Sequence, residues 1–361
     1  MQAGKLMGHA AVAFVSGMLN INAHAQSSVD LYGSIDEGIT YVTNEGGGHA
    51  AVVGPVAVPD YFGLRGTEDL GGGYKAFFKL QSGFTSNNGA NLVPADMFSW
   101  LSYVGLTTPL GSLSLGRQFD LTNEALTPNS NGVLQFSYYL FHPANLDDAA
   151  LTSVNNSIKY TTPSMGGLTM SALYGMDDSS TQPGRVLAFD AIYEHGPFRA
   201  SAVYSSWHDR AINLGAKLGY TSFLGQSLRD GAIFMAKSAN IAGVSARYQG
   251  TGIFGVHGMY THVSIDAPTG SGSMNTVEAG VDLHTTPFNT VTLGGFYSSL
   301  TGTRYQEAAI GDVYALSKRT VVYAQASYEH ASGEGNAAMA LLQPSDASGQ
   351  AAFRVGLHHF F

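Results

Sequence analysis

Phe353-Arg-Val-Gly-Leu-His-His-Phe-Phe361 closes the chain. At period 2, Phe353, Val355, Leu357, His359 and Phe361 share one face, and Arg354, Gly356, His358 and Phe360 share the other. A half-apolar strand that stops on an aromatic residue suits a closed membrane barrel. Closure pairs the last strand with the first, and an aromatic ring favours the bilayer interface. A final core strand of a secreted β-sandwich is the alternative that this segment leaves open.

The other end of the chain points to export. Lys5 precedes an apolar stretch, Ala10 to Leu19, and Ala23-His-Ala25 offers small residues for cleavage. This is the build of a signal peptide over residues 1–25, because the apolar run is too short to cross a bilayer. Gln26 then starts the mature chain, and residues 26–361 form one barrel domain. Cleavage removes one lysine and no acid, so the net charge moves from −9 to −10. Without a basic excess, nucleic acid is an unsuitable partner. The absence of cysteine excludes a disulfide-stapled scaffold and any thiolate metal site.

Mean hydropathy is only +0.03, and no apolar run after residue 25 is long enough for a spanning helix. Alternating residues can still meet lipid, since such strands average near zero. The 19 Tyr and 19 Phe suit girdles at the two interfaces.

Segments of roughly ten alternating residues are separated by turn formers, the spacing of tilted membrane strands. Short turns fall at 70–73, 109–112, 163–167, 195–197, 250–252, 287–289 and 317–319. Long loops are expected around 44–58, 85–95, 120–155, 175–185, 207–241, 264–274, 300–308 and 331–350. Seven turns and eight loops join sixteen antiparallel strands into one transmembrane β-barrel. In 277–284, Val277, Ala279, Val281 and Leu283 face out, with Glu278, Asp282 and His284 inside. In 320–329, Tyr323, Gln325, Ser327 and Glu329 face in. A polar inner face fits a water-filled lumen better than a packed core.

Three places resist the pattern. Glu37 shares the parity of outward Ile35 and Ile39, which suggests a subunit interface rather than bare lipid. Arg117 shares the parity of Leu113 and Leu115 and reaches the lumen only through a bulge. The stretch 207–241 leaves eighteen strands open.

Several segments resemble the general porins of Gram-negative β-proteobacteria, the Burkholderia, Bordetella and Comamonas type. They are Val29-Asp-Leu-Tyr-Gly-Ser-Ile-Asp36, the strand–turn–strand run from Phe62 to Phe84, Leu115-Gly-Arg-Gln-Phe-Asp120, Asn155 to Tyr160, Ala315 to Thr320 and the terminal strand. The resemblance implies a sixteen-stranded barrel, a homotrimer, and a third long loop, about 120–155, folded into the lumen. It also implies an outer-membrane setting with lipid and lipopolysaccharide around the barrel, insertion by the barrel-assembly machinery, and passive diffusion of small hydrophilic solutes and ions.

Folded inward, that loop sets size cutoff and charge preference at a constriction. Its acids are Asp120, Glu124, Asp147 and Asp148. The wall bases nearest in sequence are Arg65, Lys75, Lys79, Arg117 and Lys159. Three family arginines are replaced here, by Tyr61, Trp100 and Val154. The loop also carries the aromatic run Leu134-Gln-Phe-Ser-Tyr-Tyr-Leu-Phe141. Loss of three bases predicts a channel less anion-selective than its relatives, or weakly cation-selective. The rings either favour flat solutes or pack the loop against the wall.

No other chemistry stands out. His358 and His359 point to opposite faces and cannot chelate together. Asp147-Asp148 with loop carbonyls leaves a calcium site open. There is no Gly-x-Ser-x-Gly elbow, and Gly71-Gly-Gly73 has no helix behind it to make a phosphate loop. No catalytic residue, metal or cofactor is expected. A plugged barrel acting as an adhesin or surface scaffold is the rival.

Overall fold

The computed structural model describes residues 28–57, 59–178, 184–250 and 252–361. The signal-peptide reading of residues 1–25 lies outside the described residues. Sixteen wall strands close into an antiparallel barrel. The first eight are β1 (Ser28–Glu45), β2 (Gly48–Val53 continued by Tyr61–Gly71), β3 (Tyr74–Gly83), β4 (Leu101–Thr108), β5 (Gly111–Phe119), β6 (Ser153–Thr161), β7 (Leu168–Gly175) and β8 (Val186–His195). The rest are β9 (Phe198–Ile212), β10 (Phe234–Gln249), β11 (Phe254–Ala267), β12 (Gly270–Thr286), β13 (Asn289–Leu300), β14 (Thr303–Ala315), β15 (Thr320–Ser332) and β16 (Gly349–Phe360).

The terminal stretch makes the closure. β1 runs antiparallel to β16 from Ser34↔Phe360 to Val42↔Ala352. Gly33 and Phe361 then exchange both backbone hydrogen bonds, at 3.2 and 3.1 Å. No edge is left there to recruit another chain. Phe353, Val355 and Leu357 are exposed on the outside, while Arg354 and His358 are buried inside. The alternation holds around the wall. Val277 and Leu283 face out, and Glu278 and Asp282 are buried within.

β2 is interrupted. Gly46-Gly47, both at positive φ, turn the chain straight back from β1, as two-residue hairpins require. Residues 54–57, 59 and 60 then leave the wall and fold inward. Asp36 holds this excursion by accepting from Val56 N (2.6 Å) and Ala57 N (2.7 Å). Arg354 Nη2 binds both Asp36 Oδ2 (3.0 Å) and the Gly54 carbonyl (2.7 Å). The expected long loop at 44–58 is therefore a hairpin plus an inward bulge.

Two further loop expectations are corrected. The connections at 264–274 and 300–308 are two-residue turns between Ala267 and Gly270 and between Leu300 and Thr303. Turn-forming residues suggested loops, but β11 to β14 continue past them. They do so because Ile265, Met274 and Leu300 are fully buried under an apolar cover from residues 213–233. That cover holds Leu214, Leu218 and Phe223, and Tyr220 donates to Thr303 Oγ1 at 2.8 Å. The stretch 207–241 therefore adds a short helix, α2 (Leu214–Leu218), and a two-residue hairpin, with no extra wall strands. The count is sixteen, not eighteen.

Glu37 does sit on the outward parity of β1. The chain's own loop covers it, since Ser86 Oγ donates to both Glu37 and Asp60.

Candidate functional site

Residues 120–152 leave the wall and lie inside the barrel. Asp120 starts the excursion by capping α1 (Leu121–Leu126), accepting from Thr122 N at 3.1 Å. Its other oxygen accepts from Ser205 Oγ (2.7 Å) and Trp207 Nε1 (2.8 Å). Leu121, Ala125 and Leu126 are fully buried. Short helical turns follow, which satisfy part of the loop's backbone and leave the rest to side chains of the wall.

The loop is bonded to one side of the wall. Arg199 donates to the Glu124 and Ala125 carbonyls (2.9 and 3.0 Å), and Arg247 to the Pro128 carbonyl (2.8 Å). Asn131 N donates to Glu278 Oε1 (2.7 Å), and its side chain reaches the Ala279 and Gly295 carbonyls. His142 sits between two buried carboxylates, Asp147 at 2.6 Å and Glu278 at 3.0 Å. Burial works against a charged imidazolium, but Asp147 and Glu278 outweigh it and lift the His142 pKa to about 10. Burial alone would raise the Asp147 carboxyl, yet His142 holds it below the usual carboxylate range.

The opposite side is different. Among the described residues, the paired segments of β2, β3 and β4 share no hydrogen bond with residues 121–149, which reach this side only through Tyr138 N to the Val56 carbonyl of the inward bulge (2.7 Å) and Tyr139 to Thr40 Oγ1 of β1 (3.1 Å). Gln81 and Leu101 are buried, but the inward Tyr61, Arg65, Phe77, Lys79 and Tyr103 stay half-buried or exposed. Arg65 meets Asp30 at 3.4 Å, with both side chains more than half exposed. Arg65 and Lys79 lie over the Tyr32 ring, at 5.2 and 5.3 Å from its centroid. Lys159 pairs with Glu124 across the gap between wall and loop.

The sequence-selected residues thus separate. Arg65, Lys79, Lys159 and Glu124 meet at the open side. Lys75 lies two residues from Phe77 toward the 70–73 turn and is exposed. Asp120 and Asp147 are fully buried anchors of the loop. Asp148 is buried as well, bound by Arg210 and by Thr152 Oγ1. The two adjacent acids are thus engaged separately, and the described residues hold no cluster of three or more His, Asp or Glu that fits a metal. Arg117 keeps the outward parity. It donates to the Ser99 carbonyl (2.7 Å) and to Asn155, in a rim cavity that also touches Asp96 and Met97. A bulge does occur beside it, but the extra residue is on β6, between Ser157 and Val154, and it turns Val154 inward; Gln118 faces in by ordinary alternation with Ser114 and Gly116.

Tyr61 and Trp100 lie side by side, with ring centroids 5.6 Å apart. Val154 is fully buried in the cluster that holds α1 and does not line the open side. Within the loop run, Tyr139, Leu140 and Phe141 are buried, and Phe136 remains half-exposed.

Sequence reading missed the acids behind the loop. Register places Glu278, Phe296, Glu307 and Glu329 in one row across β12 to β15. Glu307 and Glu329 stand directly opposite each other, both buried, and neither Glu307 oxygen has a hydrogen-bond partner. Parity marked Glu278 and Glu329 as inward, but only register shows who stands beside whom.

The sequence profile of the Gram-negative porin family matches residues 9–334. Outer membrane porin protein 32 of Delftia acidovorans is 33% identical over 192 residues, covering 50% of this chain and 54% of the relative. An outer membrane porin protein of Bordetella pertussis is 32% identical over 180 residues, covering 44% of each. The chain thus aligns with about half the length of these curated relatives. Among solved structures, the anion-selective porin from Comamonas acidovorans superposes with a TM-score of 0.78 at 23% identity, covering 93% of this chain and all of the other. OmpT of Vibrio cholerae gives 0.70 at 14% identity, covering 96% of this chain and all of the other. Both share the fold. A family profile that spans most of the chain, on a closed sixteen-stranded barrel with an inward third loop, makes this protein a member of the Gram-negative porin family, seated in the bacterial outer membrane.

Proposed function

We propose that the protein is a passive diffusion channel for small hydrophilic solutes and ions. The observation that carries this reading is the division of the lumen. The loop is hydrogen-bonded along β9 to β13, while β2 to β4 present half-exposed polar and charged side chains to the space opposite. A barrel built to be plugged has no need for a charged, partly wet wall.

The narrowest part lies where Lys159 and Glu124 approach, with Arg65 and Lys79 beside them. Two of these three bases have an acid partner, Arg65 with Asp30 and Lys159 with Glu124. Paired charges give a weak transverse field. The Comamonas structure is described as anion-selective. For this chain the pairing and the rings at Tyr61 and Trp100 favour weaker anion preference, down to slight cation preference. Three copies assembled as a trimer in lipid and lipopolysaccharide, delivered through a cleaved leader and the barrel-assembly machinery, complete the proposal by analogy with the family.

Swelling of liposomes carrying the purified protein tests the channel itself. Swelling rates that fall steadily from pentose to disaccharide are expected. No swelling with any sugar would move the weight to a plugged barrel.

A further inference from the structure

A row of rings that ends on two bases runs down the open side of the lumen. Phe119, Trp100, Tyr61 and Tyr32 form a continuous row, with successive centroids 6.4, 5.6 and 6.1 Å apart. The row ends on Arg65 and Lys79, which flank the Tyr32 ring. Tyr103 stands opposite Lys79 in the register, and Phe77 lies 6.3 Å from Tyr103.

Glycines hold the two largest rings close to the wall. A Cβ at Gly83 would meet the Trp100 ring at 2.6 Å, and one at Gly63 would meet the Tyr32 ring at 2.7 Å. Each ring therefore lies over bare backbone. Trp100 also lines a cavity of about 360 Å³ with Pro55, Val56, Tyr138 and Leu342. Trp100 is the ring that this cavity and the row share.

The bases at its foot are available. Lys79 has no carboxylate partner among the described residues. The Arg65–Asp30 pair is more than half exposed, so exchanging Asp30 for another carboxylate costs little. Flat apolar faces above and an uncommitted ammonium below describe one kind of solute.

We propose that this row is a binding track for aromatic carboxylates, with the ring stacked along the half-buried Tyr61 and Tyr32, the largely buried Trp100 backing Tyr61, and the carboxylate at Lys79 and Arg65. The proposal rests on the channel reading and names a solute class for it. It coexists with weak selectivity for small ions, because stacking acts only on solutes that carry a ring.

Block of the KCl current in a planar bilayer tests it, with sodium benzoate, sodium cyclohexanecarboxylate and benzyl alcohol as probes. Benzoate is expected to halve the current at a concentration ~3-fold or more below cyclohexanecarboxylate, the scale of one aromatic contact. The double variant Tyr61→Leu, Trp100→Leu removes both rings while keeping apolar side chains and should bring the two acids level, with a KCl current still recorded as the control that the barrel has formed. Lys79→Gln should weaken benzoate and leave benzyl alcohol unchanged. Equal block by the two acids in the natural protein, or a benzoate preference that survives the double variant, overturns the ring track. Benzyl alcohol blocking as well as benzoate overturns the carboxylate site. Absence of any KCl current overturns the channel reading instead.

Discussion

The two sides of this lumen are built on opposite rules. Along β9 to β13 the inner wall behaves as a protein core. Its polar groups are buried and matched to the loop, with Arg199, Ser201, Asn131 and His142 each in defined hydrogen bonds. Along β2 to β4 the same inward positions hold Tyr61, Arg65, Lys79 and Tyr103, which the loop leaves alone. A buried charge is expensive unless paired and bonded, so the first side is rigid. An exposed pair contributes little, so the second side is free to meet solutes. One barrel thus divides its interior between holding the loop and leaving a path.

His142→Ala should give the largest break in that comparison. It leaves Asp147 and Glu278 as uncompensated buried carboxylates, a loss of about 3–5 kcal/mol. Denaturant unfolding in detergent would measure it, and single-channel records should become noisy as the loop loosens. An unchanged unfolding midpoint would mean that the loop is not held there.

The same contact predicts a pH response. The folded His142 pKa of about 10 stands above its ordinary value of 6.5. Its contribution is therefore fully present below pH 6.5 and is lost as pH rises through about 10. Open-channel noise should rise between about pH 9 and about pH 11 in the natural protein, and the increase should be absent in His142→Ala.

Glu307→Gln should act with the opposite sign. It replaces a buried, unpartnered carboxyl group that stands opposite Glu329 with a group that cannot ionise, and should stabilise the barrel by about 1 kcal/mol. A loss of stability would show that some group compensates Glu307. Lys159→Gln should give the smallest change in stability, less than about 1 kcal/mol, because the Lys159–Glu124 pair is partly exposed. Its effect should instead be read in the reversal potential, shifted toward cations by the freed Glu124.

Much of the barrel was legible because its signal is local. Parity from Phe353 to Phe361 placed Val355 and Leu357 outside and Arg354 inside, where the pairing with β1 puts them. Loop lengths were less legible. The ranges 264–274 and 300–308 read as long loops, while the cover that keeps their strands extended comes from residues 213–233. The site was partly legible for the same reason. Arg65, Lys79, Lys159 and Glu124 are near in sequence and meet in space. His142 and Glu278 are 136 positions apart, and no spacing rule links them. Val154 marked a lost arginine, but its partners in the buried cluster decide its role.

The most direct test of the divided lumen is the reversal potential of the purified protein in a planar bilayer under a tenfold KCl gradient. The account predicts stepwise openings, commonly in threes, with a reversal potential close to zero or slightly on the cation side. Stepwise openings with strong anion preference would contradict it, because the bases of the open wall would then be acting unpaired.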